Sequence, residues 1–139
     1  KGWDRSLSEL AGVIYDPGTT FKDLTWLRSV WDGPIIVKGI QSVEDAKAVA
    51  KLGIQGIILS NHGGRQLDRA ITPALLIPEV RAAIGNRAEI HVDTGIMHGA
   101  DIVACIAAGA DFVWIGRAYL YGLMAGGREG CGSYKKVGC

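Results

Sequence analysis

Short apolar runs rich in β-branched residues alternate with helical stretches from about Trp31 onward. The runs are too short for helices and are closed by glycine or polar residues, so we predict four buried strands. These strands are expected at residues 34–38, 56–60, 89–93 and 112–115. Uninterrupted apolar strands that alternate with helices indicate a parallel sheet covered on its faces, which is the α/β class.

Amphipathic segments fill the intervals between the predicted strands and indicate helices. They lie at residues 42–52, 72–84 and 99–108, with one helix before them around 21–30 and a last one that begins near Ala118. Ser42 is a candidate N-cap, and the glycines at 53, 85 and 109 are candidate C-terminal stops. The pattern predicts about four βα units in one partial domain, residues 1–139. The periodicity is lost after Gly126, and we expect a frayed tail at residues 131–139.

Polar or charged residues follow the end of every predicted strand. They are Lys38 after the first strand, Ser60-Asn-His-Gly-Gly-Arg65 after the second, Asp93-Thr-Gly95 after the third, and Gly116-Arg117 after the fourth. A single lysine or aspartate at a strand end is more often solvated, or caps a turn, than functional. Ligands of parallel β/α folds bind at the carboxyl ends of the strands, however, so four such groups on one rim predict a site.

The last two strand ends have the composition of an anion pocket. Glycines let the backbone approach a ligand, amides at a helix N-terminus point at an anion, and the Arg117 guanidinium adds a charged fork. Loops after the last two strands of a (β/α)8 barrel commonly bind phosphate, so we expect a phosphate-bearing cofactor. The sequence has neither a GxGxxG nor a P-loop motif, which argues against a nucleotide triphosphate enzyme.

The stretch between Asn61 and Arg65 combines a proton acceptor with a carboxylate clamp. His62 can take a proton near neutral pH, and Arg65 can hold a carboxylate through two parallel hydrogen bonds. This pair suits a small acid that is oxidised next to its carboxyl group. Taken alone, a glycine-rich turn with a solvated histidine and arginine explains the stretch about equally well.

Composition excludes several other classes of function. The chain is 48% hydrophobic, and 15 Lys+Arg balance 14 Asp+Glu, which argues against a disordered tail or a nucleic-acid-binding arm. We expect no membrane span, because no apolar run approaches the ~20 residues that one needs. The three cysteines have no metal-ligand spacing, so we predict free thiols, no metal site and a cytoplasmic location.

Four segments together resemble the FMN-dependent α-hydroxy-acid oxidase/dehydrogenase family, which includes lactate oxidases and dehydrogenases, glycolate oxidase and flavocytochrome b2. The segments are residues 35–39 (IIVKG), 59–68 (LSNHGGRQLD), 92–95 (VDTG) and 115–122 (IGRAYLYG). The resemblance covers residues 19–130 and implies the C-terminal half of a (β/α)8 barrel, strands five to eight. It also implies FMN as cofactor, a small 2-hydroxy acid such as L-lactate as substrate, and a homo-oligomeric full-length parent.

The resemblance assigns a role to each candidate residue. His62 is similar to the base that takes the substrate hydroxyl proton as hydride passes to flavin N5, and Arg65 to the residue that binds the substrate carboxylate. Lys38 resembles the lysine near N1 and O2 of the flavin, and Ser60 a serine that touches it. The positions that correspond to FMN ribityl and phosphate contacts are Asp93, Gly95, Gly116 and Arg117.

One departure from the family pattern affects the phosphate site. The family usually has Asp-Gly-Gly-(Val/Ile/Phe)-Arg-Arg-Gly after strand seven, whereas residues 93–99 are DTGIMHG. Met97 therefore replaces an arginine and Thr94 a glycine. A thioether cannot hold a phosphate, so we expect Arg117 and backbone amides to do so, with His98 as a further candidate. The variant is similar to an actinobacterial branch in which some members process the peptide-derived cofactor mycofactocin, an alternative substrate class.

Two further alternatives come from other classes. A half-barrel leaves two unprotected sheet edges, so the chain could be a catalytically silent module that folds only with another half. Another FMN barrel, such as a flavin-dependent isomerase, would keep the phosphate site, but the pairing of His62 with Arg65 argues against it.

Overall fold

The structure is a computed structural model that describes the backbone of residues 16–137 and the side chains of residues 16–132. Within residues 16–137, one helix precedes the sheet, and three βα units and a final strand–helix pair follow. The helices are α1 (Phe21–Val30), α2 (Val43–Lys51), α3 (Pro73–Ile84), α4 (Gly99–Ala107) and α5 (Arg117–Val137). The strands are β1 (Ile36–Ile40), β2 (Gly56–Leu59), β3 (Glu89–Val92) and β4 (Phe112–Val113), and a single 3-10 turn (His62–Gly64) follows β2.

The four strands form one parallel sheet in the order β1-β2-β3-β4. Sequential order with a helix after each strand is the arrangement of consecutive units in a β/α barrel, so the α/β prediction is confirmed. The carboxyl ends of all four strands lie on the same edge of the sheet, which we call the carboxyl edge. Because Lys38 lies two residues before the end of β1 and the other predicted site residues follow strands, the topology brings all of them to this edge.

One face of the sheet packs against α2 and α3 to form the core. Leu59, Ile90 and Val92 on the strands are fully buried, and they belong to one cluster with Val49 of α2 and Ile77 of α3. Full burial of such side chains removes apolar surface from water, which stabilises the fold by roughly 25 cal/mol per Å². This core fixes the spacing of the strand ends that carry the site.

The opposite face of the sheet is only partly covered within residues 16–132. The exposed fractions of Ile36, Phe112 and Trp114 are 46%, 50% and 43%. His91 is buried on this face, where its Nδ1 accepts a hydrogen bond from Trp114 Nε1 at 3.2 Å and its Nε2 lies 3.0 Å from Glu89 Oε2. His91 therefore has a structural place between neighbouring strands.

The boundaries of several elements differ from those predicted. β1 begins at Ile36 rather than Pro34 and continues through a bulge at Gly39, whose φ of +97° lets Ile40 pair with Leu59. β4 is shorter than predicted, although Trp114 N still donates to Val92 O at 2.8 Å. The predicted helices otherwise match to within two residues, and Ser42 is the N-cap of α2 through its bond from Asp45 N.

Helical structure extends further than the sequence pattern indicates. The span α5 reaches Val137 but is interrupted at Gly126 and Gly127, whose backbone is not helical, so it consists of two helical segments joined by a kink. Residues 131–137 are therefore helical, where the pattern indicated no regular structure. Whether residues 131–139 fray stays a prediction. No helix between residues 16 and 137 is long and apolar enough to cross a membrane.

Candidate active site

Three side chains from three strand ends meet at the carboxyl edge. Lys38 Nζ lies 2.8 Å from Asp93 Oδ2 and donates a hydrogen bond to Ser60 Oγ at 2.9 Å. Ser60 is fully buried, whereas Lys38 is 44% exposed at the mouth of the cluster. We call Lys38, Ser60 and Asp93 the charged cluster, and it holds a partly exposed ammonium group at the carboxyl edge.

Asp93 is held in its ionised form by its neighbours. Burial alone would raise its pKa, but hydrogen bonds from Lys38, Ser60 and Thr94, together with the positive charge of Lys38, outweigh burial and lower the pKa below its usual value. The Thr94 hydroxyl donates to Asp93 Oδ1 at 2.8 Å. The carboxylate therefore anchors the lysine rather than acting as a proton donor at neutral pH.

Replacement of Asp93 by asparagine should reduce the acid sensitivity of the fold. A carboxyl group whose pKa is lower in the folded state contributes stability above its unfolded pKa of about 3.9, and that stability is lost as pH falls through the folded value. At pH 7 we expect Asp93→Asn to lower the free energy of unfolding by about 1 kcal/mol, since water screens the half-exposed Lys38. Urea denaturation between pH 2 and pH 7 measures both effects.

Asp68→Asn is the matched control for this prediction. The Asp68 carboxylate is 98% exposed and 3.8 Å from Arg69, so its removal should change unfolding by only a few tenths of a kcal/mol. The difference between wild type and Asp93→Asn should shrink progressively as pH falls below the unfolded pKa of about 3.9 and through the lower folded value. A difference that stays constant from pH 7 to pH 2 would contradict the role given to the Asp93 charge.

His62 opens the 3-10 turn that follows β2. The turn is built by short side-chain bonds: Ser60 Oγ accepts from His62 N at 3.1 Å, and Asn61 Oδ1 accepts from Gly64 N at 3.0 Å. Asn61 is buried and also donates from Nδ2 to Ile71 O at 3.1 Å, which closes the longer loop. We call residues 61–65 the base turn. It leaves the His62 and Arg65 side chains exposed at the carboxyl edge.

Gly63, at the centre of the base turn, is held from two other strand ends. Its amide donates to Thr94 Oγ1 at 3.2 Å, and its carbonyl accepts from Arg117 Nη2 at 2.9 Å. Gly63 has a φ of +70°, and a Cβ at this position would collide with the Arg117 guanidinium. Glycine favours this position because it adopts the left-handed backbone without strain and leaves room for the Arg117 guanidinium, which a Cβ would displace.

Two amides at the N-terminus of α4 are already bonded within the chain. The amides of Met97 and His98 donate to Asp101 Oδ2 at 2.9 and 2.8 Å, and these bonds lower the pKa of Asp101. A phosphate at this helix would have to use other amides, and the anion pocket expected from the sequence stays a prediction. Gly95, with a φ of +79°, and Gly116 remain open: an added Cβ would meet nothing within 4 Å.

The structure thus brings most of the predicted residues into two groups. Lys38, Ser60 and Asp93 are in direct contact, whereas His62 and Arg117 lie on either side of Gly63. Arg65, Gly95 and Gly116 lie on the same edge. The sequence analysis gave no role to Asn61 or Thr94, although both make hydrogen bonds that shape the site. Both could have been noticed in the sequence, because Asn61 lies within residues 59–68, which resemble the family, and Thr94 occupies a position where the family has glycine.

A parallel β/α sheet with a lysine, a histidine and two arginines at its carboxyl edge is typical of part of a β/α barrel, whose strand ends are the usual place for an anionic ligand. A family model described as FMN-dependent dehydrogenase matches residues 3–137, and this chain belongs to that family. FMN is the cofactor of the family, and the predicted family resemblance is therefore confirmed.

Curated relatives include enzymes named for L-lactate. The chain is 57% identical over 128 residues to a putative L-lactate dehydrogenase of Mycobacterium tuberculosis, covering 92% of this chain and 31% of that protein. It is 46% identical over 119 residues to an L-lactate dehydrogenase of Pseudomonas aeruginosa, covering 86% of this chain and 31% of that protein. The chain spans about a third of the length of these relatives.

Solved structures of similar proteins support the partial-barrel fold. A mandelate oxidase with (S)-4-hydroxymandelic acid matches with a TM-score of 0.79 and 36% identity, over 86% of this chain and 34% of that one. A monotopic membrane protein, (S)-mandelate dehydrogenase, matches with a TM-score of 0.84 and 40% identity, over 94% of this chain and 34% of that one. The fold prediction, part of a (β/α)8 barrel, is confirmed.

The donors at the carboxyl edge fit FMN. Its phosphate needs a cation, which Arg117 could supply, and its ring gains negative charge on reduction, which an ammonium such as that of Lys38 would stabilise. Open backbone at Gly95 and Gly116 leaves room for the cofactor to lie close to the main chain. These are the residues of this chain that would hold it.

Proposed function

We propose that this chain carries part of the active site of an FMN-dependent 2-hydroxy-acid oxidoreductase that converts a lactate-like L-2-hydroxy acid to the 2-oxo acid. One observation carries the proposal: the charged cluster and the base turn with His62 stand on the same edge and are joined through Thr94. A cation for the flavin and a base for the substrate are thus held in one framework. Relatives named L-lactate dehydrogenase support the substrate class.

Each residue has a defined task in this reaction. Arg65 binds the substrate carboxylate, and His62 takes the proton of the substrate hydroxyl. Bound FMN supplies the acceptor for the two electrons that leave the substrate with its α-hydrogen. Lys38 offers positive charge to the reduced ring, and Arg117 holds the phosphate. The 2-hydroxy acid loses one proton and one hydride equivalent in total and leaves as the 2-oxo acid.

A second candidate function is a half-barrel that needs a partner half and is silent without it. The partly uncovered sheet face, with Ile36, Phe112 and Trp114 between 43% and 50% exposed, favours this alternative. Sedimentation of the 139-residue chain with added FMN distinguishes a chain that binds FMN by itself from a silent half-barrel. A monomer that binds FMN tightly argues against a silent half. The cytoplasmic location and the homo-oligomeric parent stay predictions.

A chimera supplies the rest of the barrel for a test of activity. In it, the aligned segment of the Pseudomonas aeruginosa relative is replaced by this chain, and oxidation is followed with an artificial electron acceptor. We expect turnover of L-2-hydroxy acids and none of 3-hydroxybutyrate, because Arg65 and His62 require the hydroxyl next to the carboxylate. The unchanged relative is the control. A chimera that keeps FMN but oxidises no 2-hydroxy acid would exclude the proposed function.

A further inference from the structure

Thr94 holds a backbone conformation that β-branched residues rarely adopt. Its φ is +78°, in the left-handed region, where the branched Cβ crowds the main chain and which glycine adopts without strain. Such strain persists only where surrounding contacts over-determine it, and it concentrates at functional sites. The contacts of Thr94 therefore indicate why a threonine stands there.

The Thr94 hydroxyl uses both of its hydrogen-bonding functions across two strand ends. The ionised Asp93 carboxylate can only accept, so the hydroxyl donates its proton to Asp93 Oδ1 at 2.8 Å. The Gly63 amide can only donate, so the hydroxyl oxygen accepts from it at 3.2 Å. The direction of both bonds is thereby fixed, and the charged cluster is tied to the base turn through one oxygen atom.

The Thr94 hydroxyl contacts Gly63, the residue next to His62. His62 itself has a φ of +56°, unusual for a residue other than glycine, and its amide is bonded to Ser60 Oγ. The next residue, Gly63, is held at its amide by Thr94 and at its carbonyl by Arg117. The backbone on both sides of the His62 side chain is thus pinned from β2, β3 and β4.

We propose that Thr94 is a positioning residue, whose hydroxyl fixes the Gly63 amide and thereby aims the His62 imidazole over the carboxyl edge. The proposal rests on the proposed function in that His62 is the base. The position of the imidazole can be measured through its neighbour Gly39. A Cβ built on Gly39 would lie 3.1 Å from His62 Cε1, so the ring lies close to the Gly39 backbone.

Nuclear magnetic resonance of the 139-residue chain tests the proposal without activity. Three variants distinguish the effect of the Thr94 hydroxyl from that of backbone strain. Thr94→Ser keeps the hydroxyl, Thr94→Val keeps the branched shape without it, and Thr94→Gly relieves the strain. We expect the Gly63 amide to exchange with solvent roughly 2- to 12-fold faster in the valine and glycine variants, as for loss of one net hydrogen bond. We also expect those two to lose the nuclear Overhauser effect between His62 Hε1 and the Gly39 α-protons.

The serine variant should retain both the slow exchange of the Gly63 amide and the nuclear Overhauser effect between His62 and Gly39. The Gly64 amide, which is bonded to Asn61 Oδ1, is the internal control and should exchange at the wild-type rate in all three variants. Unchanged core amide shifts establish that a variant is folded, and if the valine variant does not fold, the glycine variant decides. Retention of the Gly63 protection and of the His62–Gly39 signal without the hydroxyl would overturn the proposal.

The chimera adds a kinetic readout that separates this proposal from the proposed function. In it, Thr94→Val should lower kcat roughly 10-fold while the KM for the 2-hydroxy acid stays within about 2-fold, because a misaimed base slows proton transfer without removing the Arg65 contact. Unchanged kcat together with a lost His62–Gly39 signal would contradict the positioning role. If the wild-type chimera oxidises no 2-hydroxy acid, the proposed function fails, and the resonance data still decide whether Thr94 places the imidazole.

Discussion

Replacement of His62 by glutamine in the chimera is expected to lower kcat for L-lactate by about 10²- to 10⁴-fold. Glutamine has a similar size and can form hydrogen bonds, but it cannot take the hydroxyl proton, and general base catalysis contributes this much to such steps. FMN content should stay at the wild-type level, because the FMN contacts assigned here are made by other residues. Steady-state kinetics and the visible absorption of the purified variant measure both quantities.

Glu79→Gln is the control for this substitution. Glu79 is exposed on α3, away from the strand ends, so the change should alter kcat by less than about 2-fold. A glutamine variant with more than a tenth of the wild-type kcat would show that another group takes the proton.

Truncation of Leu59 to alanine is expected to destabilise the 139-residue chain by about 2–5 kcal/mol. Leu59 is fully buried on the central strand β2 within the core formed with α2 and α3, and alanine leaves a cavity that a packed interior only partly fills. Because small domains are stable by only 5–15 kcal/mol, this loss is a large part of the total. Urea denaturation followed by circular dichroism measures it.

Leu75→Ala is the matched control, since Leu75 lies on α3 but is 70% exposed. Its free energy of unfolding should change by less than about 0.5 kcal/mol. The comparison also tests whether the four-stranded sheet has a core of its own. The expectation fails if the two substitutions lower the free energy of unfolding equally, or if the wild-type chain unfolds without a cooperative transition. Either result would indicate that the observed core does not stabilise the isolated chain.

Much of this site was predictable because strand ends can be read from the sequence. The β-branched runs before Lys38, Ser60 and Asp93 predict strands, and parallel topology alone then brings the three residues to one edge. The helices that separate the strands were equally clear, since Ser42 and Gly85 mark helix ends by their capping chemistry. The register of β2 and β3 places Ser60 beside Asp93, whereas Lys38 pairs with Ile58 and reaches both residues through its long side chain.

Contacts between loops could not be predicted from the same patterns. The bonds of Gly63 to Thr94 and to Arg117 span 31 and 54 residues and depend on left-handed backbone at three consecutive residues and at Thr94. The competition of Asp101 for the amides of α4 is likewise a matter of local geometry. Sequence patterns give the composition of a helix N-terminus, whereas the direction of each amide depends on how the preceding loop enters the helix.

We propose that this chain completes an active site in which a 2-hydroxy acid reduces bound FMN. The most direct measurement is the absorption spectrum of the chimera under anaerobic conditions during stepwise addition of L-lactate. We predict loss of the flavin band near 450 nm, with pyruvate formed in equal amount to the flavin reduced. A chimera that contains FMN, and whose spectrum is unchanged by lactate and by other L-2-hydroxy acids while the unchanged Pseudomonas aeruginosa relative is reduced, would contradict the account.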